Sequence, residues 1–152
     1  MLQPEIKKVL LKKCKEFVNT RFQTITDIIY SNQAALKTET KSSAGDKHET
    51  GRAMLQLEIE KAGQQLSGVN FMKQTLLKID ISKTSKVAHL GSLIETNIAT
   101  YFLSISAGEL KIKNKTYYAI SIASPIGKLL LGKTTVNTFI FNGKKIEINN
   151  IY

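Results

Sequence analysis

Two long apolar stripes at helical spacing, separated by a short polar gap, constrain this chain more than any other feature. The first stripe advances in steps of three or four residues, with one gap at Asn32, and consists of Leu11, Cys14, Val18, Phe22, Ile25, Ile29 and Leu36. It predicts a helix from about residue 4 to about residue 37, with Pro4 suited to the first turn. The second stripe keeps nearly a seven-residue repeat through Leu55, Ile59, Ala62, Leu66, Val69, Met72, Leu76 and Ile79.

A seven-residue repeat is the spacing with which one helix seats its side chains between those of another. Because the connection between the two stripes is short and polar, the two helices are expected to run antiparallel, each roughly 45–50 Å long at 1.5 Å per residue. The alternative is a compact bundle of amphipathic helices. Since no third long helix is available to bury the remaining faces, we favour a helical hairpin (coiled coil) over residues 1–80.

The chain changes character near residue 80. A polar link over residues 81–89 leads to a β-rich domain over residues 90–152. The segments LGSLIET, ATYFLSIS and TYYAISIA are enriched in β-branched and aromatic residues and predict strands. The segment SPIGKLLLGK predicts one short helix, capped by Ser124, begun by Pro125 and stopped by Gly132. Two alternating segments joined by Asn142-Gly143 predict a closing β-hairpin. The predicted fold class is α+β.

The formal charge of +10 comes from 22 basic and 12 acidic residues. Residues 1–80 hold 13 basic and 9 acidic side chains and the remainder holds 9 and 3, so the excess is spread over both halves. This balance favours a polyanionic partner such as nucleic acid, or an acidic protein surface. The single cysteine, Cys14, excludes an internal disulfide and a thiolate zinc cluster, and its apolar neighbours predict a small buried hydrophobe.

Lysines interrupt the N-terminal segment, which therefore lacks the apolar core of a signal peptide. No stretch approaches the roughly eighteen apolar residues of a membrane span. We therefore expect a soluble, cytoplasmic protein with no membrane partner.

The polar gap KSSAGDKHETGRA, residues 41–53, holds two acids three residues apart, Asp46 and Glu49. If the second helix begins near Asp46, both carboxylates project from one face of the tip, and two close carboxylates can hold Mg²⁺ when a partner supplies the other ligands. The alternative is a capping box, because acidic residues also stabilise a first helical turn. The nearby basic residues are Lys41, Lys47, His48 and Arg52.

The order of these elements resembles the Gre family of bacterial transcript-cleavage factors over essentially the whole chain. The family tip reads G-D-L-S-E-N-A-E-Y, and GDKHETGRA places Gly45, Asp46 and Glu49 on its glycine and two acids. GSLIET is similar to the family's G-S-x-V strand. ISIASPIGKLLLGK is similar to I-S-x-x-S-P-L-x-x-A-L-L-G-K, which is the more specific match.

The resemblance implies an accessory factor and not an enzyme in its own right. It implies an FKBP-like C-terminal domain that docks on RNA polymerase through the segment holding Ser124, Pro125, Gly132 and Lys133. The protein would then be a monomer, and its helical hairpin would enter the secondary channel of the polymerase near the nascent RNA 3′ end. Asp46 and Glu49 would help hold a catalytic Mg²⁺ that belongs to the polymerase active site, with the basic tip residues near RNA or polymerase.

Three departures from the family pattern keep a second hypothesis open. Lys47 and His48 replace Leu-Ser between the acids, Asn-Ala-Glu-Tyr becomes TGRA, and G-K-x-x-G-D becomes GKTTVN. A non-cleaving regulator that occupies the same channel is therefore the alternative to a cleavage factor. A peptidyl-prolyl isomerase is a third hypothesis, for which few aromatic residues are available to line a proline pocket.

Overall fold

A computed structural model describes residues 2–40 and 45–152, and the side chains of residues 2–38 and 49–152. The elements in chain order are α1 (Gln3–Thr40), α2 (Gly45–Leu77), β1 (Leu93–Thr96), β2 (Thr100–Ser104), β3 (Gly108–Ile112), β4 (Lys115–Ser121), α3 (Pro125–Leu130), β5 (Thr138–Phe141) and β6 (Lys144–Ile151). Two long helices followed by a six-stranded sheet with one short helix confirm the α+β class. Among the described residues, no helix is both long enough and apolar enough to cross a membrane.

The chain divides into two compact units. One unit, called here the hairpin unit, is Val18–Lys73. The other, called the sheet unit, consists of the residues up to Phe17 together with Gln74–Tyr152. The domain boundaries predicted from the sequence, 1–80 and 90–152, stay a prediction.

In the hairpin unit the two helices pack against each other in antiparallel directions. Asn32 Nδ2 donates to Glu58 Oε2 at 3.0 Å, and the Lys73 ammonium lies 5.3 Å from the centre of the Phe22 ring. Contacts that advance along α1 therefore go backwards along α2. Every residue of the two predicted stripes that falls in this unit is buried or half-buried, which confirms the predicted packing face.

In the sheet unit the strand order is β3-β4-β2-β1-β6-β5. β2 and β4 are parallel, and the other neighbouring strands are antiparallel. The three predicted strands are confirmed as β1, β2 and β4. β3 was not predicted. Leu110 and Ile112 do alternate with the exposed Glu109 and Lys111, but the alternation spans only five residues and lacks the β-branched and aromatic enrichment of the predicted strands.

The two turn signals read from the sequence are confirmed. Asn142 and Gly143 have φ angles of 51° and 76°, the left-handed geometry that a two-residue β-hairpin loop needs and that Asn-Gly tolerates best. Pro125 begins α3, whose N-cap is Ser124, and Gly132 follows its end with a φ of 83°.

The core of the sheet unit lies on both faces of β2. On one face, Ser104 Oγ lies 3.7 Å from the sulfur of Cys14 in α1. On the other face, Tyr101 and Leu103 belong to a cluster that includes Leu130 of α3. Cys14 is fully buried as predicted, and burial raises the pKa of its thiol, so it is a packing residue and not a ready nucleophile.

The end of the predicted link is held against the connection between α3 and β5. The Ala88 N–H donates to the Lys133 carbonyl at 2.8 Å, and the Gly132 N–H donates to the Ala88 carbonyl at 2.9 Å. Val87 also forms an isolated antiparallel bridge with Thr134. Residues 87 and 88 are therefore part of the sheet unit and not a free tether.

Lys7 of α1 is a buried lysine. The residue is 1% exposed, and its ammonium nitrogen makes no hydrogen bond to any residue that the structure describes. Burial lowers the pKa of the Lys7 ammonium, because a low-dielectric surrounding disfavours the charged form. Leaving a buried polar group unpaired costs folding free energy.

We expect Lys7→Met to raise the free energy of unfolding by about 1–3 kcal/mol, because the thioether fills similar space without an unpaired charge. Unfolding restores the ordinary lysine pKa, so the unfolded chain keeps a proton in a pH window where the folded chain has lost it. Wild-type stability should therefore rise with pH, and the difference between the two proteins should narrow towards pH about 10.4.

The measurement is denaturant unfolding at several pH values, with Lys8→Met as the control. Lys8 is exposed on the same helix, so its substitution should change stability by less than about 0.5 kcal/mol. An equal gain from both substitutions would assign the effect to helix propensity and not to the buried ammonium.

Candidate functional site

The acidic tip predicted from the sequence coincides with the start of a helix. α2 begins at Gly45, so Asp46 and Glu49 belong to its first two turns, three positions apart. Lys41 lies outside the described residues, as do the side chains of Asp46, Lys47 and His48. Glu49 is exposed to solvent.

Glu49 and Arg52 line a small groove of about 270 Å³ in the hairpin unit, together with Leu36, Ala53 and Gln56. Leu36 belongs to α1 and the other four residues to α2, so the groove lies between the two helices. Glu49 is the one carboxylate among these five residues. Among the side chains that the structure describes, no three His, Cys, Asp or Glu residues come close enough to hold a metal ion.

Three of the four residues predicted to dock on a partner, Ser124, Pro125 and Gly132, have a local structural role in or beside α3. Ser124 Oγ accepts the Gly127 N–H at 3.1 Å and donates to the Ser121 carbonyl at 2.6 Å. Pro125 is exposed at the first helical position, and Gly132 supplies the left-handed backbone after the helix. These roles explain the residue types without a partner, and docking stays a prediction.

Gly127 allows α3 to approach the end of β4. A Cβ at this position would lie 1.9 Å from the Ser121 carbonyl oxygen and 2.8 Å from Ser124 Oγ. The nearer atom belongs to the backbone and cannot rotate away. Glycine is therefore required for the capped turn that joins β4 to α3.

The connection between α3 and β5 exposes an apolar side chain at a strained backbone position. Val136 has a φ of 64°, which a β-branched residue rarely adopts, and is 82% exposed. Its N–H donates to the Ile148 carbonyl at 2.9 Å, and Asn137 Oδ1 accepts the N–H and hydroxyl of Thr134 at 2.7 and 2.9 Å. These hydrogen bonds hold the backbone in the strained conformation. Backbone strain of this kind is common at active sites and ligand-binding sites.

The positive charge is unevenly divided between the two units. The sheet unit contains 15 basic and 6 acidic residues, whereas Val18–Lys73 contains 7 and 6. Nine of the ten excess charges thus belong to the sheet unit. A comparison of residues 1–80 with the remainder does not reveal this division of charge, because five lysines of the sheet unit precede residue 18.

Sequence reasoning also missed a basic cleft between the first turn of α1 and the β3–β4 turn. Its volume is about 450 Å³, and its lining is Gln3, Ile6, Ile112, Lys113, Asn114, Lys115 and Tyr117. The signal was the segment KIKNK, with Asn as a turn residue between charged positions. It was overlooked because β3 itself was not predicted.

No family model, curated protein or solved structure matches this chain. The resemblance to the Gre family therefore rests on the residues quoted from the sequence.

We expect Gly127→Ala to destabilise the sheet unit by about 2–4 kcal/mol, because the added methyl overlaps a backbone carbonyl. Gly63→Ala is the matched control. Gly63 lies inside α2 with no atom within 4 Å of an added Cβ, so alanine there should stabilise by about 0.5–1 kcal/mol. Thermal unfolding of both variants gives the two opposite signs, and two stabilising substitutions would contradict the close approach at Gly127.

Proposed function

We propose that this protein is an RNA polymerase-binding transcription elongation factor that stimulates cleavage of backtracked RNA by the polymerase. The observation that carries the proposal is the acid pair at the beginning of α2, next to the connection between two long antiparallel helices. α2 contains 33 residues and is about 50 Å long, a suitable length for an arm that enters a deep channel. The accompanying sheet unit contains the capped α3 segment that resembles the family most closely.

The chemistry requires only what two carboxylates can supply. Asp46 and Glu49 would provide oxygen ligands to a Mg²⁺ ion that the polymerase also holds, and the ion would activate water for attack on the RNA. The protein is then an accessory factor with no cofactor of its own. Lys41, Lys47, His48 and Arg52 would lie near RNA phosphates or polymerase at the 3′ end.

An exposed apolar patch supports the docking part of the proposal. Val87, Leu131 and Val136 are 44%, 43% and 82% exposed. Val87 and Leu131 flank the hydrogen-bonded pair of Ala88 and Gly132, and Val136 lies on the same connection. Lys128 and Lys133 belong to the neighbouring chain segments, so an acidic protein surface with an apolar centre is a suitable partner.

The non-cleaving channel regulator remains the second candidate, since Lys47 and His48 add positive charge beside the acids. Nearby positive charge competes with Mg²⁺ for the carboxylates. A prolyl isomerase is disfavoured, because Tyr101, Phe102 and Tyr117 are each less than 10% exposed and belong to the core. They leave few aromatic side chains for a proline pocket.

The test is RNA cleavage in stalled, backtracked complexes of the cognate polymerase. We expect the wild-type protein to shorten the transcript, and Asp46→Asn/Glu49→Gln to slow cleavage by more than about tenfold, because each substitution removes a charged metal ligand while preserving shape. Glu58→Gln/Glu60→Gln, farther along α2, is the control with the same change of charge. A wild-type protein that binds polymerase without cleavage would leave the regulator, and no binding would refute both.

A second experiment tests the apolar patch without weakening the fold. Val136→Gly removes the exposed side chain and relieves the positive φ, so the melting temperature should stay equal or rise. Binding to polymerase, measured by co-sedimentation or interferometry, should weaken by about tenfold if Val136 lies at the centre of the interface. Ile98→Gly, at another exposed position of the sheet unit, should leave binding unchanged.

A further inference from the structure

The cleft beside the β3–β4 turn has a positive lining in which none of the seven lining residues is acidic. These seven include two lysines, two amide side chains and one tyrosine. Lys113, Asn114 and Lys115 are exposed, whereas Tyr117 and Ile112 are buried and form its floor. Ammonium and amide N–H groups are donors that suit an anionic oxygen.

The backbone of this turn favours a residue other than lysine. Lys113 has a φ of 54°, a conformation in which glycine or asparagine is less strained. The β5–β6 turn of the same chain uses Asn142 and Gly143 at comparable φ angles. Lysine thus occupies a position at which glycine or asparagine would strain the backbone less.

The ion pairs near the cleft leave its charge available. Lys115 Nζ lies 3.9 Å from Glu95 Oε1, and Lys111 Nζ lies 3.8 Å from Glu109 Oε1. Both lysine side chains are more than half exposed, so these long pairs are weak and screened by water. The Lys115 ammonium also lies 5.5 Å from the centre of the ring of Tyr117, which belongs to the same cleft lining.

We propose that this cleft binds a phosphate group of a nucleic-acid strand. Two exposed lysines would hold a single free phosphate weakly, because water screens each interaction. A strand would also engage other lysines of the sheet unit, and neutralising several phosphates releases counterions, which is the main source of such affinity. The excess of nine positive charges in this unit supplies that additional attraction. The site lies in the sheet unit and is independent of the acidic tip and of the proposed cleavage function.

The experiment measures binding of a fluorescein-labelled single-stranded RNA by anisotropy, with the full chain. Lys113→Asn/Lys115→Gln removes the two charges, and asparagine suits the positive φ, so the melting temperature should not fall. Lys144→Gln/Lys145→Gln is the matched control, because it removes two exposed lysines beside the other hairpin turn, away from the cleft lining. We expect the dissociation constant to rise by about fivefold or more for the first variant and less than about twofold for the control.

The dependence on salt gives a second readout. The slope of log affinity against log salt should decrease by about 0.7 for each lysine–phosphate pair that the substitutions remove, and hence by about 0.7–1.4 for the cleft variant. Lys113→Arg/Lys115→Arg keeps both charges and should bind as the wild type does, since guanidinium also pairs with phosphate.

Three outcomes would overturn the proposal. Equal weakening in the cleft variant and the control would show that the lysines act only through net charge. Weak binding by the arginine variant would show that the turn, and not its charge, supports the complex. Displacement of RNA by inorganic phosphate, beyond the effect of sodium chloride at the same ionic strength, would assign the cleft to small phosphates and not to a strand.

Discussion

The sheet unit depends on the burial of β2 from both sides. Residues 101–105 are all buried, and their side chains alternate between a face that contacts α1 and a face that contacts the cluster around α3. β2 also pairs with β1 on one edge and with β4 on the other. β2, which has no solvent-exposed face, therefore positions β1 and β4 directly, β3 and β6 through one neighbouring strand, and β5 through two.

Local signals in the sequence predicted the elements whose conformation is decided locally. Asn142-Gly143 predicted a turn because asparagine and glycine tolerate a positive φ. Ser124 with Pro125 predicted a helix start because serine caps a helix and the φ of proline suits the first turn. β3 was missed because its apolar alternation spans only five residues and few of them are β-branched or aromatic. The burial of Lys7 and the cleft beside Lys113 were also missed, since both arise where residues far apart in sequence meet. For the candidate site, the sequence predicted that a helix begins at the acidic tip. The uneven division of charge became evident only from the structure, because the sheet unit combines the N-terminal residues with Gln74–Tyr152.

That division suggests separate tasks for the two units. In the function proposed above, a nearly neutral helical hairpin would bring carboxylates towards a metal ion and RNA without a strong electrostatic field of its own. A basic unit of nine excess charges supplies long-range attraction to polyanions, which raises association rates and weakens with salt. The exposed Val136 and Lys113 both occupy strained backbone positions, so the surface of this unit retains two side chains that the fold does not favour.

The contact between Cys14 and Ser104 spans 90 residues, and the Asn97–Lys145 hydrogen bond spans 48. Closing such loops has an entropy cost that local helix formation avoids, so the early turns of α1 can become helical well before β2 exists to cover them. During synthesis or refolding, Ile6, Leu10 and Cys14 would then form an uncovered apolar stripe on a finished helix. The apolar stripe that packs against the sheet in the folded protein is thus exposed for a time during folding. The rate at which the sheet forms determines how long this stripe can associate with other chains.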